Sequence, residues 1–244
     1  MKVGLFVPCY VNQFFPEAAI ATLSLLQKLG VEVDYPVKQT CCGQPMANAG
    51  FEHLADGCNE LFIDNFSSFD YIVAPSASCI LHVKEHLHSD EKHAAAASIR
   101  TKVFELVEFL TDILQIKTLH ASFPHRVGLH KSCHGLRGLH LGQMSELNAP
   151  DFCKSTKLLN MVKGLEMINL DRVDECCGFG GTFSVSEEAV SVKMGKDRIQ
   201  DHESNGAQYI TSSDLSCLMH LEGLLKRKES SVKILHIAEI LNAE

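Results

Sequence analysis

The sequence predicts an α/β protein of two duplicated units, each built on a parallel sheet and related to the other by a pseudo-twofold. Three observations carry this. Short β-rich runs alternate with helix-spaced segments along the chain. A set of cysteine landmarks occurs twice in the same order. A chain of 244 residues, 45% apolar and 21% charged, is also long enough to bury self-sufficient cores.

Residues 2–8 form a β-rich apolar run that ends at Cys9. Residues 17–29 carry apolar side chains at helical spacing and stop at Gly30. Residues 31–35 alternate as a strand does, and the chain then turns at Pro36 towards Cys41-Cys42-Gly43. Residues 51–66 read as helix, and 71–74 as a buried strand that delivers Pro75 to Cys79. The second half repeats the order over 126–130, 158–163, 165–170, 187–203 and 207–211. Residues 88–97, with an alanine run and no echo in the second half, read as an exposed helical insertion. The two units are expected at residues 1–118 and 125–244, with a boundary near 121–124. Strands alternating with helices imply crossover connections, and ligands of such sheets gather beyond the carboxyl ends of the strands.

Charge excludes several classes. With 22 basic and 30 acidic side chains, the net charge of −8 argues against a nucleic-acid partner. No apolar run reaches the roughly 18 residues of a transmembrane segment. The start does not read as a signal peptide, because Lys2 is its one early positive charge and Pro8, Asn12 and Gln13 interrupt the apolar run. The expectation is a soluble, mildly acidic, cytoplasmic protein.

Ten cysteines are many for such a protein, since the cytosol keeps thiols reduced and uses them for metal binding or redox chemistry. Cys-Cys-Gly occurs at Cys41-Cys42-Gly43 and at Cys176-Cys177-Gly178. Each is preceded by a single cysteine, Cys9 or Cys133, and followed by another in a Ser-Cys-x-x-His context, Cys79 or Cys217. A last echo closes each half, Leu106-Val107-Glu108-Phe109-Leu110 against Ile237-Ala238-Glu239-Ile240-Leu241. Cys58 and Cys153 have no counterpart and read as ordinary thiols.

Each patterned cysteine follows a predicted strand, so each half should collect four thiols at one sheet edge: Cys9, Cys41, Cys42 and Cys79, then Cys133, Cys176, Cys177 and Cys217. Adjacent cysteines make strained disulfides but good ligands for neighbouring iron atoms, and the following glycine lets the backbone turn tightly. Soft thiolates select iron–sulfur clusters, zinc or copper(I), and neither half has the C-x-x-C pair common in zinc sites. His82 and His220 offer imidazole near the last thiols, though solvation or hydrogen bonding is the usual fate of such residues. His130 reads as a hydrogen-bond donor to a cluster sulfur. Lys131 and Arg137 read chiefly as solvated charges. Gly178-Phe179-Gly180-Gly181 lacks nucleotide-loop spacing and reads as slack around a cluster.

The pattern resembles the CCG cysteine-rich domain, which occurs in pairs in one of the subunits of heterodisulfide reductase and in the glycolate oxidase iron–sulfur subunit. The strings Cys41-Cys42-Gly43-Gln44-Pro45, Pro75-Ser76-Ala77-Ser78-Cys79 and His130-Lys131-Ser132-Cys133 are similar to the lactate-utilisation protein A family. So are Glu175-Cys176-Cys177-Gly178-Phe179-Gly180-Gly181-Thr182-Phe183-Ser184 and Leu235-His236-Ile237-Ala238-Glu239-Ile240-Leu241. The resemblance covers nearly the whole chain. It implies an iron–sulfur subunit of a three-component L-lactate oxidation system, with one cluster per half, of the [4Fe–4S] or [2Fe–2S] kind that four cysteines can hold. It also implies partners: a ferredoxin-type iron–sulfur protein and a third component of that system. The reductase domain ends in C-x-x-C, whereas Ser76 and Asp214 stand at the first of those positions here, which argues against its five-thiolate cluster. Two alternatives stay open, a thiol–disulfide oxidoreductase of the reductase type and a zinc-stapled scaffold. Hydride abstraction from lactate is not assigned to this chain alone, because no flavin or nicotinamide fingerprint occurs in it.

Overall fold

Strands form where β-branched and apolar residues cluster, and all of them pair in parallel. In the computed structural model, which describes residues Met1–Glu244, β1 (Lys2–Leu5), β2 (Glu32–Asp34), β3 (Tyr71–Ala74) and β4 (Val103–Glu105) build one four-stranded sheet in the order β2-β1-β3-β4. A second sheet joins β5 (Arg126–Leu129), β6 (Glu166–Met167), β7 (Tyr209–Ser212) and β8 (Lys233–His236) in the matching order β6-β5-β7-β8. The registers match too. Val3 pairs with Val33 and Tyr71, and Val127 pairs with Met167 and Tyr209. Equal order and equal register in two sheets of one chain are what a duplication produces. No helix is long and apolar enough to cross a membrane.

The helices obey the local signals. Pro16–Lys28 opens with proline in its first turn, and the turn that follows it closes on Gly30 at φ +78°. It buries Ala18, Ala21, Thr22, Leu25 and Leu26 along one stripe. The expected helix over 51–66 divides into a short turn, Glu52–Ala55, and a helix, Asp56–Phe66. The expected exposed insertion needs correction. Its helix spans His93–Lys102, and Ala96 and Ile99 are buried against β3 and Asp56–Phe66. The alanine run hides that apolar stripe in the sequence.

The edge strands β4 and β8 explain the closing echo of the two halves. Each leads into a helix start at which a side chain and a glutamate cap reciprocally. Glu105 accepts from the Val107 N–H at 2.7 Å, and Glu108 accepts from the Glu105 N–H at 3.4 Å. In the second half His236 accepts from the Ala238 N–H at 3.2 Å, and Glu239 accepts from the His236 N–H at 2.8 Å.

Contacts between the halves are reciprocal, as a pseudo-twofold requires. The helix Ala77–His86 packs on the turn His134–Gly138 of the other half, and Leu215–Lys228 packs on Cys9–Phe14. A methyl group on Gly138 would lie 2.2 Å from Leu81 Cδ2, so the Leu81 side chain would have to move to admit one. Likewise Ile237–Leu241 lies on Pro16–Lys28, and Leu106–Glu108 on Lys154–Leu159. The largest core cluster, 20 buried residues, accordingly mixes Leu25, Leu26 and Leu110 with Leu158, Ile237 and Leu241. On the axis itself the equivalent residues Ser76 and Asp214 pair with each other as an antiparallel bridge.

Candidate metal centres

Each sheet delivers its patterned cysteines to one end. Cys9 opens the helix Cys9–Phe14 after β1, Cys41 and Cys42 lie in the loop after β2, and Cys79 sits in Ala77–His86 after β3. Cys9 Sγ and Cys41 Sγ are 3.6 Å apart, and the Cys42 thiol lies beside both Cys41 and Cys79. The second half repeats this. The Cys133 thiol lies beside Cys176, and the Cys177 thiol beside both Cys176 and Cys217. The eight patterned thiols thus fall into two neighbouring sets, four in each half.

The two Cys-Cys-Gly turns work in the same way. Gly43 sits at φ +91° and donates its N–H to Cys41 Sγ at 3.4 Å; Gly178 sits at φ +86° and donates to Cys176 Sγ at 3.3 Å. A methyl group on Gly178 would meet Met194 Cβ and the Ser191 carbonyl at 2.7 Å each, so a side chain is excluded twice over.

Crowding sorts the charges among the sulfurs. Hydrogen bonds from Cys42 and Cys9 lower the Cys41 thiol to about 3. Those from Cys133 and Cys177 lower Cys176 to about 2. The donors move the other way, Cys9 and Cys42 raised by bonding to Cys41, Cys133 and Cys177 by bonding to Cys176, with burial adding to each. Four sulfurs this close cannot all ionise against one another, and only a cation lets them carry charge together. The donor set therefore fits a soft metal ion or a cluster.

The sites differ underneath. Below the first, Phe6 packs edge-on to Phe62 and Phe66, with ring centroids 4.9 and 5.8 Å away. In the second half the corresponding places hold His130, Arg198 and His202, all buried. Arg198 Nη1 donates to Asp201 at 3.0 Å, while both ring nitrogens of His130 lack a protein partner. One of them lies within 4.8 Å of both Cys177 Sγ and Cys217 Sγ. Burial lowers His130 to about 3, which leaves a neutral imidazole facing two sulfurs. Arg198 and His202 carry no signal of their own in the sequence; the signal lies in aligning the halves, where aromatic positions become polar.

The remaining candidates fall outside the thiol groups. His82 is lowered to about 4 by burial and stacks on His86 at 4.9 Å, and His220 faces the Ser191 carbonyl at 3.3 Å. Arg137 pairs with Glu146. Lys131 lines a cavity beside the second sheet. Cys58 is half-buried and close enough to Cys41 for its charge to raise the Cys58 thiol, after burial, but it bonds to no sulfur. Cys153 bridges to Gly142 through its backbone.

Ser76 and Asp214, at the place of the missing cysteine, are occupied elsewhere. Asp214 caps its own helix by accepting from the Ser216 N–H at 3.1 Å. It also accepts across the axis from the Ser78 N–H at 2.8 Å and Ser78 Oγ at 3.2 Å. Ser76 Oγ reaches only Ser78 Oγ, at 3.5 Å.

The cysteine-rich domain family, CCG, matches residues 3–84 and 127–222. Lactate utilization protein A of Geobacillus sp. (strain WCH70) is 39% identical over the full length of both chains. The protein of the same name from Bacillus subtilis (strain 168) is 38% identical, again over 100% of each. Among solved structures, a hypothetical protein from Helicobacter pylori superposes with a TM-score of 0.59 at 13% identity. That match covers 98% of this chain and about half, 48%, of the other, and it bears on the fold alone.

Proposed function

The chain belongs to the lactate-utilisation protein A family, with two CCG cysteine-rich domains, and from that premise we propose that it is an iron–sulfur electron-transfer subunit of a multi-component L-lactate oxidation system. The observation that carries the reading is the convergence of four thiols beyond the strands of each sheet. Cys9, Cys41, Cys42 and Cys79 hold one centre in residues 1–118. Cys133, Cys176, Cys177 and Cys217 hold the other in residues 125–244. Such clusters, [4Fe–4S] being the form that four cysteines suit, accept and pass on single electrons.

The chain's own residues shape how that happens. Gly43 and Gly178 aim backbone N–H groups at Cys41 and Cys176, which stabilises sulfur charge. Electrons leave and arrive through partners, a ferredoxin-type iron–sulfur protein and a third component, docking where the rims Gly43–Ala47 and Gly178–Thr182 flank the thiols. His130 beside Cys177 and Cys217 favours one second reading, since nitrogen and sulfur together also suit zinc in that half.

Reconstitution without oxygen tests both readings. We expect a brown protein with iron and sulfide in both halves and a reducible paramagnetic resonance signal. It should oxidise lactate only when partner proteins are added. A colourless protein filled with zinc, or substantial lactate oxidation by this chain alone with an artificial acceptor, would overturn the assignment. In the same preparation Ser76→Ala should leave iron content unchanged, because its hydroxyl reaches only Ser78. Loss of iron from that variant would make Ser76 a ligand.

A further inference from the structure

The pseudo-twofold exposes one place where the halves differ in what fills them. In the first half, the gap beyond the ends of β1 and β2 is closed from within by the Gln39 side chain. Its Oε1 accepts from the Val7 N–H at 2.7 Å, and its Nε2 donates to the Leu5 carbonyl at 3.1 Å. A carboxamide supplies that acceptor and that donor side by side.

In the second half the equivalent backbone groups are the Lys131 N–H and the Leu129 carbonyl. Ile168 N–H takes the Val127 carbonyl, so alternation along β5 aims Leu129 and Lys131 to the same side, where β6 has ended. No protein group accepts from the Lys131 N–H. No glutamine stands here either. Counted from the paired strands, Gln39 corresponds to Val173; counted back from Cys-Cys-Gly, it corresponds to Asp174. The Asp174 carboxylate is held by the Ser145 N–H and Oγ at 2.8 and 2.9 Å. Val173 remains half-exposed on the wall of a cavity.

That cavity measures about 820 Å³ and is lined by both Leu129 and Lys131. Its size falls within the roughly 300–1,000 Å³ of small-molecule sites, and it lies beyond the carboxyl ends of parallel strands, where such sheets bind ligands. Lys154 and Lys157 join Lys131 in the lining, together with Asp112 and Asp151; Lys154 pairs with Asp112, while Lys131 and Lys157 form no ion pair. Phe152, Met167 and Leu170 give the same cavity apolar walls. A narrower pocket continues from Lys131 to His130, the imidazole that faces Cys177 and Cys217.

We propose that this cavity binds a nucleotide cofactor that presents an amide edge, of the nicotinamide or flavin kind, beside the second thiol centre. The amide edge takes the place that Gln39 fills in the first half, accepting from the Lys131 N–H and donating to the Leu129 carbonyl. The ring lies against the apolar wall, and the phosphate meets Lys157 and Lys131. Because the site is read by strand-end backbone and lysines rather than by a glycine-rich loop, it leaves no fingerprint in the sequence. The inference stands apart from the iron–sulfur reading, since every group it uses belongs to the chain.

The test titrates the full-length chain separately with FMN and with NADH, following the fluorescence of each, with iron content recorded on every sample. Saturable binding of either one, weakened about tenfold or more by Val173→Gln and by Lys157→Glu, is the expected result, about 1.4 kcal/mol or more. Val173→Gln rebuilds the first half's closure, and Lys157→Glu reverses an exposed charge on the cavity wall. Whichever nucleotide binds identifies the source of the amide edge. Cooperative melting of each variant, like that of the parent chain, shows that it folds. Binding of neither nucleotide at millimolar concentration, or binding that both substitutions leave unchanged, overturns the site. Iron content decides the electron-transfer reading separately, whichever way the titration goes.

Discussion

Cys177→Ser should remove most of the iron from the second centre while the first keeps its own, and Cys42→Ser should do the reverse. Both residues are buried, at 2% and 5% exposure, and each lies beside two other patterned thiols of its half. A serine hydroxyl at the same place is a harder and far less acidic donor, so it holds iron in a thiolate cluster poorly. Loss of one ligand in four also leaves a buried, unbalanced set of charges that the low-dielectric site does not tolerate. The expected readout is about half the parent iron and sulfide, and one resonance signal missing. Cys58→Ser and Cys153→Ser are the controls, because neither residue bonds to a sulfur. Equal iron loss from Cys58→Ser would show that the two halves do not pair their thiols in this way.

The repeat is legible in the sequence because its chemistry is local. A strand end followed by cysteine, or Cys-Cys followed by glycine, is written in adjacent residues, and each sits where the spacing places it. The edge strands β4 and β8 are not legible, since runs as short as Val103–Glu105 carry little periodicity and are fixed by pairing with β3 and β7. The insertion misleads for the same kind of reason: alanines show no apolar stripe until a sheet covers one side of the helix. Exchange of Phe6, Phe62 and Phe66 for His130, Arg198 and His202 is visible only once two helices are superposed across a two-residue offset. Gln39 reads as a loop residue, because nothing near it in sequence names Val7 and Leu5 as its partners.

Asp214 ties the two halves together. This fully buried carboxylate accepts from the Ser216 N–H and Oγ in its own half and from the Ser78 N–H and Oγ across the axis. It therefore caps two helices at once, and these are the helices that carry Cys79 and Cys217. Asp214→Ala should leave two N–H groups and two hydroxyls, those of Ser78 buried and those of Ser216 partly so, without that acceptor, costing about 3–5 kcal/mol by the measure of broken buried networks. For a chain of this size that lowers the melting temperature by roughly 6–20 °C, at roughly 2–4 °C per kcal/mol. Ser78→Ala keeps the Ser78 N–H bond but removes the Oγ contacts to Asp214 and Ser76, and should cost about 1–2 kcal/mol. The pair should be non-additive in a double-mutant cycle by about 0.5 kcal/mol or more, because the two side chains share a bond. Asp214→Asn keeps an acceptor oxygen and should recover part of the loss. If Asp214→Ala instead melts with the parent protein, the cross-axis cap is not what joins the halves, and the shared core around Leu26, Leu110 and Ile237 must do so unaided.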